Sequence, residues 1–269
     1  MKTSLDDFQG LSSEQMHRFI HFPFESPDLV TFPVSLDTIP EASILTLFNL
    51  LTAAIDDNGL KMTSTGNLPR NFCREAAKAF WGEEEYAHWS RYGEIRSEDQ
   101  FTELNVTRLV AGLAGLVRKY KGKFIIGREC RKLMAEQGMA GIYPRLFRAF
   151  VTEYNWGYGD RMQEIPMVQH AFLFTFYLLN KHGAEWQSSR FYEDSFLKAF
   201  PMVLQQVKPI GAYYTPEKML RSCYSWRCLE RFARFMGLVE IERDQAEKYT
   251  ADFRVRKLPL LDHVVTFHL

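Results

Sequence analysis

Residues 103–135 read ELNVTRLVAGLAGLVRKYKGKFIIGRECRKLMA. Leu104, Leu109, Val110, Leu113 and Leu116 recur at helical spacing, which predicts a helix with an apolar face. The helix runs into Gly115-Leu116-Val117, which leads into a charged strand. Lys121-Gly122 suits the two-residue turn of a hairpin, and an apolar strand follows. The expectation is a helix, a GLV turn and an antiparallel hairpin over residues 117–126.

The same pattern returns near the C-terminus. Thr215-Pro216 is an N-cap with proline at the first helical position, opening a helix over PEKMLRSCYS. A second helix, residues 226–236, ends in Gly237-Leu238-Val239. Residues 239–243 and 253–256 then alternate apolar and charged side chains, as half-buried strands do, with polar residues 244–252 between them. The recurrence, about 120 residues apart, is the signature of a repeated supersecondary unit.

Upstream of the first hairpin, residues 43–57 carry apolar side chains on most sides of a predicted helix, closed by Asn58-Gly59. A short strand (residues 60–63), a Thr65-Gly66-Asn67 turn and a helix over PRNFCREAAKAFW follow. An insert, residues 82–102, carries Glu83-Glu84-Glu85 with Tyr86, Trp89 and Tyr92. This order resembles that of the winged-helix superfamily, over residues 44–135 and again over 211–269. The resemblance implies a mainly α fold with small β-hairpins, built as tandem winged-helix-like units around a helical middle segment. It does not settle function, because that fold hosts DNA readers, protein-interaction modules and structural domains alike. Residues 59–76, GLKMTSTGNLPRNFCREA, also resemble an LT.tGNLp signature of uncharacterised bacterial and mobile-element proteins, a likeness that implies no activity.

The expected domains are an acidic N-terminal arm (1–43), a first unit (44–138), a helical middle (139–210) and a C-terminal unit (211–269). The arm sets Asp6, Asp7, Glu14, Glu25, Asp28, Asp37 and Glu41 against Lys2 and Arg18, and has prolines at 23, 27, 33 and 40. It reads as extended, with one short helix near residues 12–20 capped by Ser12. Gln137-Gly138-Met139-Ala140-Gly141 reads as a linker. Phe147, Phe150, Phe172, Phe174, Phe176, Phe196 and Phe200 load the middle with aromatic rings that must pack together, against a neighbouring domain, or in a homodimer or other protein partner.

Lys+Arg and Asp+Glu balance at 33 each, so overall charge favours no partner. Cys73, Cys130, Cys223 and Cys228 form no CxxC pair, and we expect reduced, buried thiols in a cytoplasmic protein. No apolar run approaches a membrane span, so no membrane partner is expected. The motifs GxSxG, HExxH, GxxxxGK[ST] and GxGxxG are absent, so we expect neither an enzyme nor a catalytic, metal or cofactor site. Glu240 and Glu242 opposite Arg254 and Arg256 read as cross-strand ion pairs.

Local charge carries the functional expectation. Residues 108–132 hold eight Lys/Arg against one Glu, whereas residues 1–60 hold nine Asp/Glu against two Lys/Arg. Arg118, Lys119, Lys121 and Lys123 make the first hairpin a basic wing suited to phosphate. Residues 104–116 are too apolar to read bases well. In the C-terminal unit Arg227, Arg231 and Arg234 fall on one α-helical stripe, opposite Trp226, Leu229, Ala233 and Met236, and Arg254 and Arg256 add charge on the strand. The two readings are binding of double-stranded DNA through these residues, or a protein-interaction role in which the units serve as scaffolds.

Overall fold

The computed structural model describes residues 6–209, 215–243 and 252–269. The chain is mainly α-helical, with small antiparallel sheets of two or three strands. Contacts divide it into two units, Val34–Tyr154 and a second that joins residues up to Pro33 with Asn155–Leu269.

The Val34–Tyr154 unit is organised around helix Ser43–Ala54, which buries Ile44, Leu45, Leu47, Phe48 and Leu51. A helix so apolar needs neighbours on several sides. It packs against helices Arg70–Trp81 and Thr102–Leu113, and the latter also packs against helix Gly138–Thr152. The expected linker at 137–141 is therefore corrected. Helix Arg128–Glu136 ends at Gln137 and the next helix begins at once, with Gly138 at φ +61° turning the chain. Ile142, Tyr143, Leu146, Phe147 and Phe150 are all buried, and this apolar side holds the helix in the first unit. The division falls after Tyr154, not at 138.

In the second unit residues 6–33 of the expected arm carry the expected short helix and are packed into the unit. Helix Ser13–His21 starts in a reciprocal capping box between Ser12 and Gln15. It buries Phe19 and packs on helix Phe172–His182. Strand Val30–Thr31 pairs antiparallel with Thr266–Phe267, and Leu261, Val264 and Val265 of the apolar tail are buried. Phe172, Phe174, Phe176 and Phe196 are at most 3% exposed, and Phe176 stacks on Phe232 at 5.5 Å. Their apolar surface is consumed inside the unit, which removes the ground for a dimer built on these rings. All four cysteines are free and buried. Burial pushes the Cys73 thiol up to about 12 and those of Cys130 and Cys223 to about 11, so none is a reactive thiolate near neutral pH.

The two units share one module. In the first it runs helix Ser43–Ala54, strand Leu60–Lys61, helix Arg70–Trp81, helix Thr102–Leu113 and hairpin Val117–Tyr120/Lys123–Ile126. In the second it runs helix Phe172–His182, strand Gln187–Ser188, helix Ser189–Ala199, helix Pro216–Tyr224 with its π-helical continuation Ser225–Arg234, and hairpin Val239–Glu242/Arg254–Lys257. The second module thus starts inside the expected middle segment, because its sheet takes its third strand from there. The expected opening at residue 211 and polar residues 244–251 lie outside the described residues. In both sheets the early strand pairs with the last one, and the register is the same. Leu60 faces Phe124, which faces Lys119; Gln187 faces Val255, which faces Ile241.

That shared register follows from a shared turn. Leu116 N–H donates to Ala111 O at 2.9 Å and Gly115 N–H to Gly112 O at 3.1 Å; Leu238 N–H donates to Ala233 O at 2.8 Å and Gly237 N–H to Arg234 O at 3.0 Å. This nested pair of bonds is the Schellman ending of a helix. It requires positive φ, and Gly115 and Gly237 have +71° and +75°. Leu116 and Leu238, immediately after, are fully buried. A methyl group at Gly115 would meet no atom within 4 Å, so Gly115→Ala isolates the backbone term. It should lower unfolding free energy by about 1 kcal/mol in denaturant titration; an unchanged midpoint would contradict the turn's role.

Candidate nucleic-acid interface

Directly paired residues of a sheet share a face, and faces alternate along each strand. In the first sheet Val117, Phe124 and Leu60 share the inner face, where Val117 and Phe124 are buried. The outer face carries Lys61, Lys123 and Tyr120 in one row, then Ile125 beside Arg118. Lys121 and Gly122 form the turn, with φ +45° and +76°, the double positive φ of a tight hairpin. Arg118, Lys119, Lys121 and Lys123 are all exposed. Lys123 Nζ donates to Asn58 O at 2.8 Å. The ammonium groups of Lys119 and Lys121 lie over the rings of Phe124 and Tyr120 at 5.6 and 5.3 Å. None of the four forms an ion pair among the described residues. Arg118 and Lys123 thus stand on the outer face, Lys121 in the turn, and Lys119, paired with Phe124, on the other face of the same exposed hairpin.

The second hairpin differs at the matched positions. Glu240 stands where the first sheet has Arg118, and Glu242 where it has Tyr120. Glu240 accepts from Arg256 at 2.7 Å and Glu242 from Arg254. Arg243 pairs with Glu230, and the Arg254 and Arg256 guanidinium groups lie 5.4 and 4.8 Å from the Trp186 ring. Arg254 is exposed and Arg256 half-buried, and the charge of each is neutralised on the spot. The cross-strand pairs expected from sequence are present.

The stripe of Arg227, Arg231 and Arg234 is not an exposed face, and this expectation is corrected. Arg227 is 3% exposed. Its Nε and Nη2 donate to Asp160 Oδ2 and Oδ1 at 2.7 and 3.1 Å, and Nη2 also reaches Gln163 O at 2.9 Å. Burial works against the Arg227 charge, but the hydrogen bonds and charge of Asp160 more than offset it, so its pKa is raised. Arg231 donates to Tyr158 O at 3.3 Å and approaches Asp160 at 4.0 Å; only Arg234 is exposed. The reason lies in the helix. Residues Ser225–Arg234 form a π-helix, whose i→i+5 bonding rotates each residue less than an α-helix does. Arg234 is carried off the side that Arg227 and Arg231 share, and Trp226, expected inside, is 38% exposed.

In the first module, helix Thr102–Leu113 occupies the corresponding place. Glu98 is 1% exposed and accepts from Arg108 Nε at 2.5 Å, Asn105 Nδ2 at 2.9 Å and Leu68 N–H at 2.7 Å. The polar residues of this helix are thus held by its own unit. Sequence reasoning missed Lys61, whose place beside Lys123 depends on strand register. It also missed Asp160, the lone carboxylate of the Asn155–Asp160 loop and the one group able to compensate a buried arginine there.

Residues 42–139 match the model of a family described as the Y4jL N-terminal domain, less than half of the chain. No curated protein and no solved structure matches significantly. Among the described residues no helix is long and apolar enough to cross a membrane.

Removing Arg227 strands the buried Asp160 carboxylate, which typically costs about 3–5 kcal/mol. Arg227→Ala should therefore unfold at clearly lower denaturant, whereas Arg234→Ala should stay within about 0.5 kcal/mol of the parent. Equal effects of the two variants would contradict the assignment of Arg227 to an internal clamp.

Proposed function

We propose that this chain is a non-enzymatic DNA-binding protein that holds phosphate with the basic hairpin of residues 117–126, and that its two modules are winged helices. The observation that carries the reading is the contrast between matched sheets. Arg118, Lys119, Lys121 and Lys123 are exposed without an acidic partner among the described residues, whereas Arg254 and Arg256 each hold a glutamate. Exposed, uncompensated cations on a rigid hairpin repel one another in the free protein, and phosphate relieves that repulsion. In this reading Arg227 and Arg231 are structural and the second module contributes little phosphate contact. Its neutralised sheet face, with Trp186 under two arginines, favours a protein-contacting or scaffolding role for that module.

Replacing Arg118, Lys119, Lys121 and Lys123 together with Ala should leave the fold intact, because all four side chains are on the surface. Four phosphate contacts would give a slope of log K against log salt near about −3.6, and losing them should flatten it by that amount. Fluorescence anisotropy with labelled duplex DNA across a salt series measures this. The pair Arg254→Ala and Arg256→Ala should leave affinity within about twofold. A parent protein that does not bind duplex DNA even at low salt would sink the reading.

A further inference from the structure

We infer that this interface takes the phosphodiester backbone of nucleic acid irrespective of base sequence, with Lys61 as a further contact residue. The inference rests on the reading above and narrows it to a ligand class. Base readout needs side-chain donors and acceptors presented to a groove from a helix or ribbon. Helix Thr102–Leu113, which leads into the hairpin, has few to present: the Thr102 hydroxyl and the half-buried Glu103 and Asn105. Asn105 Nδ2 and Arg108 Nε both donate to Glu98, Thr107 Oγ1 donates to Glu103 O at 2.8 Å, and Thr107 and Arg108 are buried. Freeing Asn105 or Arg108 would take a donor from the buried Glu98 carboxylate, so ligand binding does not release them cheaply. The exposed positions of the helix are Thr102, Gly112 and Leu113, which offer one hydroxyl at its very start.

The sheet face supplies the opposite chemistry. Lys61 and Lys123 face each other across the paired strands, with Tyr120 beyond. Lys61 is exposed and forms no ion pair among the described residues. Lysines act on phosphate as point charges without geometric selection, and such contacts position a ligand without reading it. Arg118 is the one planar donor on this face, and a single arginine opposite the second-row Ile125 does not make a code. Duplex and single strand share this backbone, so both are arms of the test.

The full chain is mixed at low salt with a pool of duplexes randomised at their centre, and bound and unbound fractions are sequenced. Retention without an enriched motif is the expected result. A motif enriched tenfold or more would overturn the inference while leaving DNA binding in place, and no retention of duplex or matching single strand would sink both readings. Retention of one form alone identifies the source of the backbone and supports the inference if that form, too, shows no motif. Lys61→Glu should weaken binding at least threefold and reduce the salt slope by about one unit. An unchanged slope would overturn the place given to Lys61.

Discussion

A left-handed glycine closing a buried helix is the constraint on which both modules depend. Once Leu116 N–H bonds to Ala111 O, or Leu238 N–H to Ala233 O, the leucine is driven into the core and Val117 or Val239 becomes the first residue of the hairpin. The side-chain period of a strand is two, so one residue of slip would send Phe124 to solvent and Lys123 inward. The turn therefore decides which residues face water, and through them the charge of the outer face.

Given identical registers, the two faces differ only by what stands on them. Lys61, Arg118, Tyr120, Lys123 and Ile125 occupy the first; Ser188, Glu240, Glu242, Arg254 and Arg256 occupy the second. One face is cationic and uncompensated, the other is laced by cross-strand pairs. The interiors show the reverse economy of charge. Each buries an arginine against a carboxylate, Arg108 on Glu98 and Arg227 on Asp160. Such pairs add little net stability against an apolar alternative, but breaking one is costly, so they fix where the neighbouring helix and loop sit. The arginines that look most like readers in the sequence are in this way the ones the fold holds inside.

Much of the fold was legible because it rests on local chemistry. Gly115 and Gly237, the Lys121-Gly122 turn, the Ser12 and Thr215 caps and the buried cysteines each announce themselves within a few residues. The first basic hairpin was legible for the same reason. What was not legible depends on distant partners. The helix over Ser225–Arg234 has α-helical spacing in its sequence, so neither its π geometry nor the seating of Arg227 on Asp160, 67 residues away, is announced locally. Gly138-Met139-Ala140-Gly141 looks like a linker until Ile142, Tyr143 and Leu146 are seen buried on a neighbouring helix. Lys61 joins the cationic face through pairing across 62 residues of chain to Lys123, which no local signal encodes.

The central claim is that one of two register-matched hairpins is the nucleic-acid surface. Hydrogen–deuterium exchange of the full chain, with and without saturating duplex DNA at low salt, addresses it most directly. Protection should concentrate on residues 117–126 and the neighbouring strand Leu60–Lys61, with strands Val239–Glu242 and Arg254–Lys257 unchanged. Protection confined to the second hairpin, with the first unaffected, would contradict the account.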